Sequence, residues 1–378
     1  MMRYTILLTM LLATFTCIDL LGAEPDPAAV SRDTWAHYRK AHLRNGRVVR
    51  PENGNDTVSE GQAYAMLRAV LMDDRKSLDE CLSWTEANLS RRNAFGDRLL
   101  MWHYIDGREP EPAAASDADV DYAASLVLAW RKWGEPRYLD LARQVMADIL
   151  RLETVAMDGR RYLSPWPLAA GEAPDPLPQN LSYYSPAAFR LFREITGDDR
   201  WQELVDTSYW LMERVQSSFD GHEGTGLVPD WCVVTRDGLV VRMPGKDAVY
   251  GWEAVRVPFR VGADWLQNRD ERAFRVLKRF AGVFGQELSS AGKLCSTYHY
   301  TCTAVDSREN PMFYAAAFIA SEAATPKLSS TYLGRLRAYL GQDADGLYYL
   351  SPRDYYPNSL CWLPEYYLTI VQQKNQDP

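Results

Sequence analysis

LARQVMADIL, residues 141–150, spaces Leu141, Ala142, Val145, Met146, Ile149 and Leu150 three and four apart. That spacing draws one apolar face along a helix. AYAMLRAVL, residues 63–71, repeats the pattern with Ala63, Met66, Leu67, Val70 and Leu71. Further amphipathic runs are read near 77–89, 119–133, 185–195, 199–215, 254–267, 271–288, 311–323 and 328–340, which makes about ten helices. Loops rich in Gly, Pro and aromatic residues separate them. In SPWPLAAGEAPDPLPQN (164–180) repeated Pro blocks helix continuation, and GHEGTG (221–226) reads as a turn. No stretch of about 30–45 residues resembles another, so a solenoid is disfavoured. The pattern predicts an all-α chain folded as a closed ring of helical hairpins.

The composition is that of a folded protein: 378 residues, 47% hydrophobic and 24% charged. Fifty Asp plus Glu outweigh 42 Lys plus Arg, leaving a net charge of -8, so a nucleic-acid partner is not expected. Twelve Trp and 22 Tyr exceed what a core needs, and both offer a flat face with a polar edge to ligands such as sugar rings. No CxxC, HExxH or G-x-S-x-G motif occurs, and the five His residues lack metal-ligand spacing. No metal or other cofactor is therefore expected.

MMRYTILLTMLLATFTCIDLLGA (1–23) has Arg3 at its start, an apolar stretch from Ile6 to Ile18, and small residues at its end. It reads as a secretory signal that leaves a single domain over 24–378, exported to the periplasm or the medium, with no membrane contact after cleavage. A spanning anchor fits less well, because the apolar stretch falls short of the ~20 residues needed. The remaining cysteines are Cys81, Cys232, Cys295, Cys302 and Cys361. Only Cys295 and Cys302 are close in sequence, and both a disulfide and two free thiols stay open.

Carboxylates set among aromatics carry the chemistry. TVSEGQAYAM (57–66) places Glu60 at the front of a helix, and ASDADVDYAASLVLAWRKW (115–133) places Asp117, Asp119 and Asp121 at the front of another. Either run alone is accounted for by ordinary helix-start chemistry, with Ser59 as N-cap in the first. In the second, three carboxylates within five residues exceed what capping requires.

Taken together and in order, these runs resemble glycoside hydrolase family 8, through VSEGQAYAM (58–66), ASDAD (115–119) closed by Trp133, NLSYYSPAAFR (180–190), GLVPDW (226–231), EAVRVPFR (253–260) and YYPNSLCW (355–362). Tyr122 departs from the family's usual Ile or Met, a packing difference. The resemblance implies an (α/α)6 barrel with a groove across its inner ring, and a cofactor-independent, inverting, endo-acting hydrolase of a β-1,4-linked polysaccharide. Glucan is the expected polymer, with xylan and chitosan as alternatives. Inversion requires two carboxyl groups about 6.5–9.5 Å apart, leaving room for a water.

By the same resemblance Glu60 is the general acid, Asp117 holds the sugar at the cleavage point, and Arg256 fixes sugar hydroxyls or a neighbouring carboxylate. Tyr64, Trp102, Tyr183, Tyr184, Asp230, Trp231, Trp252 and Trp362 are the remaining candidate substrate contacts. Trp252-Glu253-Ala254 stands where most of the family has Tyr-Asp-Ala, which makes Glu253 the candidate base with one extra C–C bond, ~1.5 Å of reach. A folded-back rotamer recovers that reach. Asp230 and Asp247 are spare acids nearby. A binding protein without a working base, serving a polysaccharide-export assembly, is the main rival, and a polysaccharide lyase a lesser one. The expected state is a monomer.

Overall fold

The computed structural model describes residues 25–168 and 173–376; the expected signal segment lies outside them. Fourteen α-helices are present among these residues. They are α1 (Pro27–His42), α2 (Ser59–Leu71), α3 (Arg75–Asn88), α4 (Arg92–Phe95), α5 (Ser116–Trp133), α6 (Pro136–Leu152), α7 (Pro186–Thr196), α8 (Arg200–Ser217), α9 (Val257–Asn268), α10 (Glu271–Ala291), α11 (Pro311–Ala324), α12 (Pro326–Arg337), α13 (Tyr355–Leu360) and α14 (Leu363–Gln376).

Packing sorts them into two rings. Going around, α2, α5, α7, α9, α11 and the α13–α14 pair touch in succession, and α13 returns to α2. Outside them stand α3, α6, α8, α10, α12 and α1, each against its inner partner. This is the (α/α)6 barrel. Burial follows the same division. Helix α11 buries Pro311 through Ser321 without interruption, as a helix surrounded on all sides must. Outer α6 buries only the stripe Tyr138, Leu139, Ala142, Val145, Met146, Ile149 and Leu150. The LARQVMADIL spacing thus marks an outer helix facing inward. The helix runs read from the sequence recur within a few residues, while α1 and α14, which close the ring, were not among them.

Short antiparallel pairs fill the connections at the mouth of the barrel. Residues 57–58, 101–104 and 111–114 form one three-stranded sheet, and 177–179, 232–234 and 240–242 another. GHEGTG turns as expected, its His222–Glu223 strand pairing with Ser218–Phe219. All five cysteines of the described residues are free, so Cys295 and Cys302 are two thiols. Tyr122 is buried and donates from its hydroxyl to Glu86 Oε1 at 2.8 Å, confirming it as a packing residue. None of the described helices is long and apolar enough to cross a membrane.

Arg68 locks the ring where its two ends meet. Fully buried on α2, it donates to the carbonyl of Asn358 (3.0 Å) on α13 and to Thr34 Oγ1 (2.7 Å) on α1. Its guanidinium lies 4.5 Å from the Trp362 ring and within 6 Å of Trp35 and Tyr38. Burial without a carboxylate partner pulls its pKa down to about 9. Arg68→Ala leaves a cavity and unpaired acceptors between three elements, so denaturant unfolding should register a loss of ~2–5 kcal/mol.

Candidate active site

The starts of α2 and α5 aim two carboxylates at one point. Glu60 and Asp117 are each the second residue of their helix, preceded by Ser59 and Ser116. The expected Ser59 cap does not form: Val58 occupies the cap position without a side-chain bond, and the hydroxyls of Ser59 and Ser116 find no partner among the described residues. Helices α1, α3, α10 and α11, by contrast, are capped by Asp26, Asp74, Asp270 and Asn310. At α5 the first turn uses Asp117 itself, whose Oδ1 accepts from Ala118 N at 2.9 Å.

Arg256, on the 3-10 turn leading into α9, gathers these acids. Its Nη1 donates to Glu60 Oε2 (2.6 Å), Asp117 Oδ2 (2.7 Å) and the Tyr64 hydroxyl (3.2 Å). Its Nη2 donates to Glu253 Oε2, three residues back. Arg256 thus holds the Glu253 carboxylate beside the other two acids. Asn180 Nδ2 adds a bond to the same Glu253 oxygen at 3.0 Å, leaving Oε1 without a partner among the described residues. Arg256 and Asp117 are sealed, at 3% and 4% side-chain exposure, whereas Glu60 at 22% and Glu253 at 34% reach solvent. The two accessible acids thus share one guanidinium and open to the same mouth.

Three acids around one cation leave a surplus of negative charge. Burial pushes the Glu60 carboxyl up to about 7; Arg256 opposes the rise, Asp117 and Glu253 add to it, and the Tyr355 bond lowers it. Tyr355, on α13, donates from its hydroxyl to Glu60 Oε1 at 3.1 Å. Gly61 makes room for it, since a Cβ there would meet the Tyr355 hydroxyl at 2.9 Å. The carboxyl is thus shifted toward keeping its proton near neutral pH while still touching solvent. Arg260 grips Asp121 through both Nη groups and backs the cluster beside Tyr64.

Asp230 clamps the loop beside it. Its Oδ1 accepts three backbone N–H bonds, from Gly251 (2.9 Å), Glu253 (3.2 Å) and Ala254 (2.8 Å), and so fixes the loop that carries Glu253. A Cβ at Gly251 would meet Asp230 Oδ2 at 2.7 Å. Burial, the leading cause, raises its pKa to about 6. Asp247 is an exposed surface residue.

The aromatic candidates divide. Trp231 lies 6.0 Å from Tyr183 and 6.2 Å from Trp166, Tyr183 also covers the Arg256 guanidinium at 5.4 Å, and Trp252 is 44% exposed beside Glu253. Trp102 stacks on His103 at 4.7 Å and donates Nε1 to Glu111 Oε2 at 2.8 Å, on the strand paired with the entry to α2. Tyr64 is buried beneath the acids. Two expectations fail. Tyr184 is buried, its hydroxyl tied to Gln179 and to Leu163 N, because it pins the sheet behind the site. Trp362 is buried under Arg68, its Nε1 donating to Ser359 O at 2.8 Å, because it closes the barrel. Tyr355 and Asn180 were missed although they stand inside the quoted runs; Trp166 stood in a loop read only for its prolines.

The charge balance fixes the sign of two perturbations. A carbon-13 titration of the Glu60 carboxyl should show a midpoint of about 7, moving up in Arg256→Met, which removes the cation, and down in Asp117→Asn, which removes a like charge. The stability linked to this raised value is fully present below the usual range near 4.5 and is lost as pH rises through about 7.

Comparison with known proteins agrees with this geometry. Endoglucanase A of Acetivibrio thermocellus is 28% identical over 66% of this chain, a match that spans 52% of that protein. A probable endoglucanase of Novacetimonas hansenii is 33% identical over 62% of this chain and 68% of its own length. The match thus spans roughly half to two thirds of these relatives. The endo-beta-1,4-glucanase CMCax of Acetobacter xylinum superimposes with a TM-score of 0.71 at 26% identity, over 92% of this chain and 99% of that one. The model of the glycosyl hydrolases family 8 matches residues 8–327, and with Glu60, Asp117 and Arg256 meeting at the mouth of an (α/α)6 barrel, the chain belongs to that family.

Proposed function

We propose that this protein is an exported, endo-acting hydrolase that cleaves β-1,4-linked glucan with inversion, residues 24–378 forming one catalytic domain that works as a monomer. The observation that carries the reading is the accessible Glu60 carboxyl, raised to about 7, next to a second accessible carboxylate on the same guanidinium. Glu60 gives its proton to the leaving glycosidic oxygen. Glu253 takes a proton from the attacking water through its unpartnered Oε1, while Arg256 and Asn180 hold Oε2 in place. Asp117, sealed and anchored on Arg256, holds the hydroxyls of the sugar being cleaved and strengthens its bond as the ring distorts. Trp231, Tyr183, Trp252 and Trp102 offer faces for the sugars on either side. That these relatives are endoglucanases favours glucan over xylan or chitosan.

Reducing-end release from carboxymethylcellulose, lichenan, xylan and chitosan tests the reading. Wild type should act on the first two and release the inverted anomer, seen by proton NMR of fresh product. Glu60→Gln should lose ~10²- to 10⁴-fold in turnover while keeping its fold and its affinity for oligosaccharide. Asp117→Asn should lower kcat more than it raises KM. Glu253→Ala should lose most activity and regain part of it with azide. Wild-type turnover in Glu60→Gln would sink the acid assignment. Binding without cleavage by the wild type, with cleavage restored in Glu253→Asp, would mark a binding protein instead.

A further inference from the structure

Behind Asp117 lies a pair of acids that the cleavage step does not use. Asp119, one turn into α5, and Glu153, at the C-terminal cap of α6, are both fully buried and their carboxyl groups lie within hydrogen-bonding reach of each other. Asp119 Oδ1 accepts from Leu100 N at 2.9 Å. Asp119 Oδ2 and both oxygens of Glu153 receive no bond from any other group among the described residues. Arg91, a cation that acts on both, is committed to Asp97 at 3.0 Å, and Asp117 adds a like charge.

An ionised carboxylate only accepts hydrogen bonds. Two of them sealed together without a donor would incur the penalty of an unpaired buried charge and repel each other. One proton removes both difficulties. The helix ends decide which acid carries it: Asp119 sits in the first turn of α5, where the dipole favours a negative charge, and Glu153 sits at a C-terminus, where it disfavours one.

We propose that Glu153 is a buried neutral carboxylic acid that donates its proton to the Asp119 carboxylate, and that this bond is a positioning device for Asp117. It ties the end of α6 to the first turn of α5, two residues beyond Asp117. The same corner is held by Ser164 N on the Glu153 carbonyl (2.7 Å) and Ser116 N on the Pro165 carbonyl (3.1 Å). Burial raises both carboxyl groups well above their usual range, in keeping with a retained proton. A group raised on folding stabilises fully below its unfolded value, and that stability is lost as pH rises through the folded one. The pair thus gives the protein an alkaline limit to stability. The consequence for Asp117 rests on the proposed function; the proton itself does not.

The test reads the full chain by melting temperature against pH and by infrared spectroscopy. In folded wild type, at a pH where Glu60 and Asp230 are ionised, a protonated-carboxyl C=O band should remain, and Glu153→Gln should remove it. The Gln amide donates to Asp119 as the acid does, so this variant should fold and its melting temperature should fall less steeply with rising pH than that of wild type. Should Glu153→Gln fail to fold, the wild-type band decides alone. Absence of that band in wild type, or an alkaline fall in Glu153→Gln parallel to wild type, overturns the proposal. Neither measurement uses activity, so its failure is distinguishable from a failure of the hydrolase reading.

Discussion

A single buried guanidinium organises this molecule. Arg256 is sealed from water and must be paired on every side, and the partners it finds come from four places in the chain: Glu60 and Tyr64 on α2, Asp117 on α5, Glu253 on its own turn, and the Tyr183 ring above. A buried charge of this kind contributes little net stability but is costly to leave unpaired. Each element that brings an acid to it is therefore held to a narrow position. The barrel is the scaffold that makes those positions compatible.

The same pairing sets the chemistry through a deficit. Three acids share one cation in a partly dry site, and burial raises the Glu60 carboxyl to about 7 although it starts a helix, where the dipole alone would favour the ionised form. Burial outweighs the dipole because the dipole contributes about 0.3–1 kcal/mol at an exposed terminus, whereas a shift from 4.5 to about 7 is several times larger. Neither α2 nor α5 has a side-chain cap, since Val58 and Ala115 at their cap positions carry no acceptor.

Around this centre, support is built in layers. Asp230 uses one oxygen to gather three amides of the Glu253 loop, and Asn180 holds the far side of the Glu253 carboxylate. Arg260 and Asp121 pair beside Tyr64, and Asp119 with Glu153 stands behind Asp117. None of these groups needs substrate to be in place. The site is assembled before any sugar enters, so the positioning cost is met on folding.

What the sequence alone determined was whatever depends on local spacing. Apolar residues three and four apart give helices; the order of the acid-bearing runs gives the family, and with it the barrel, and singles out Glu60, Asp117, Arg256 and Glu253, which the fold brings together. Position in a run does not say which way a side chain points once the ring closes. Tyr184 and Trp362 lie in the same kinds of motif as Tyr183 and Trp231, yet both turn into the core, because the sheet behind the site and the Arg68 closure each need a large ring there. Asp230 looked like a spare acid and became a loop clamp, because three amides from residues 251–254 converge on it only after folding. Glu153 ends an ordinary amphipathic helix, where an acid reads as solvated, and only the packing of α6 against the start of α5 buries it against Asp119. Desolvation and charge pairing depend on neighbours distant in the chain, and those neighbours were decided by the tertiary structure.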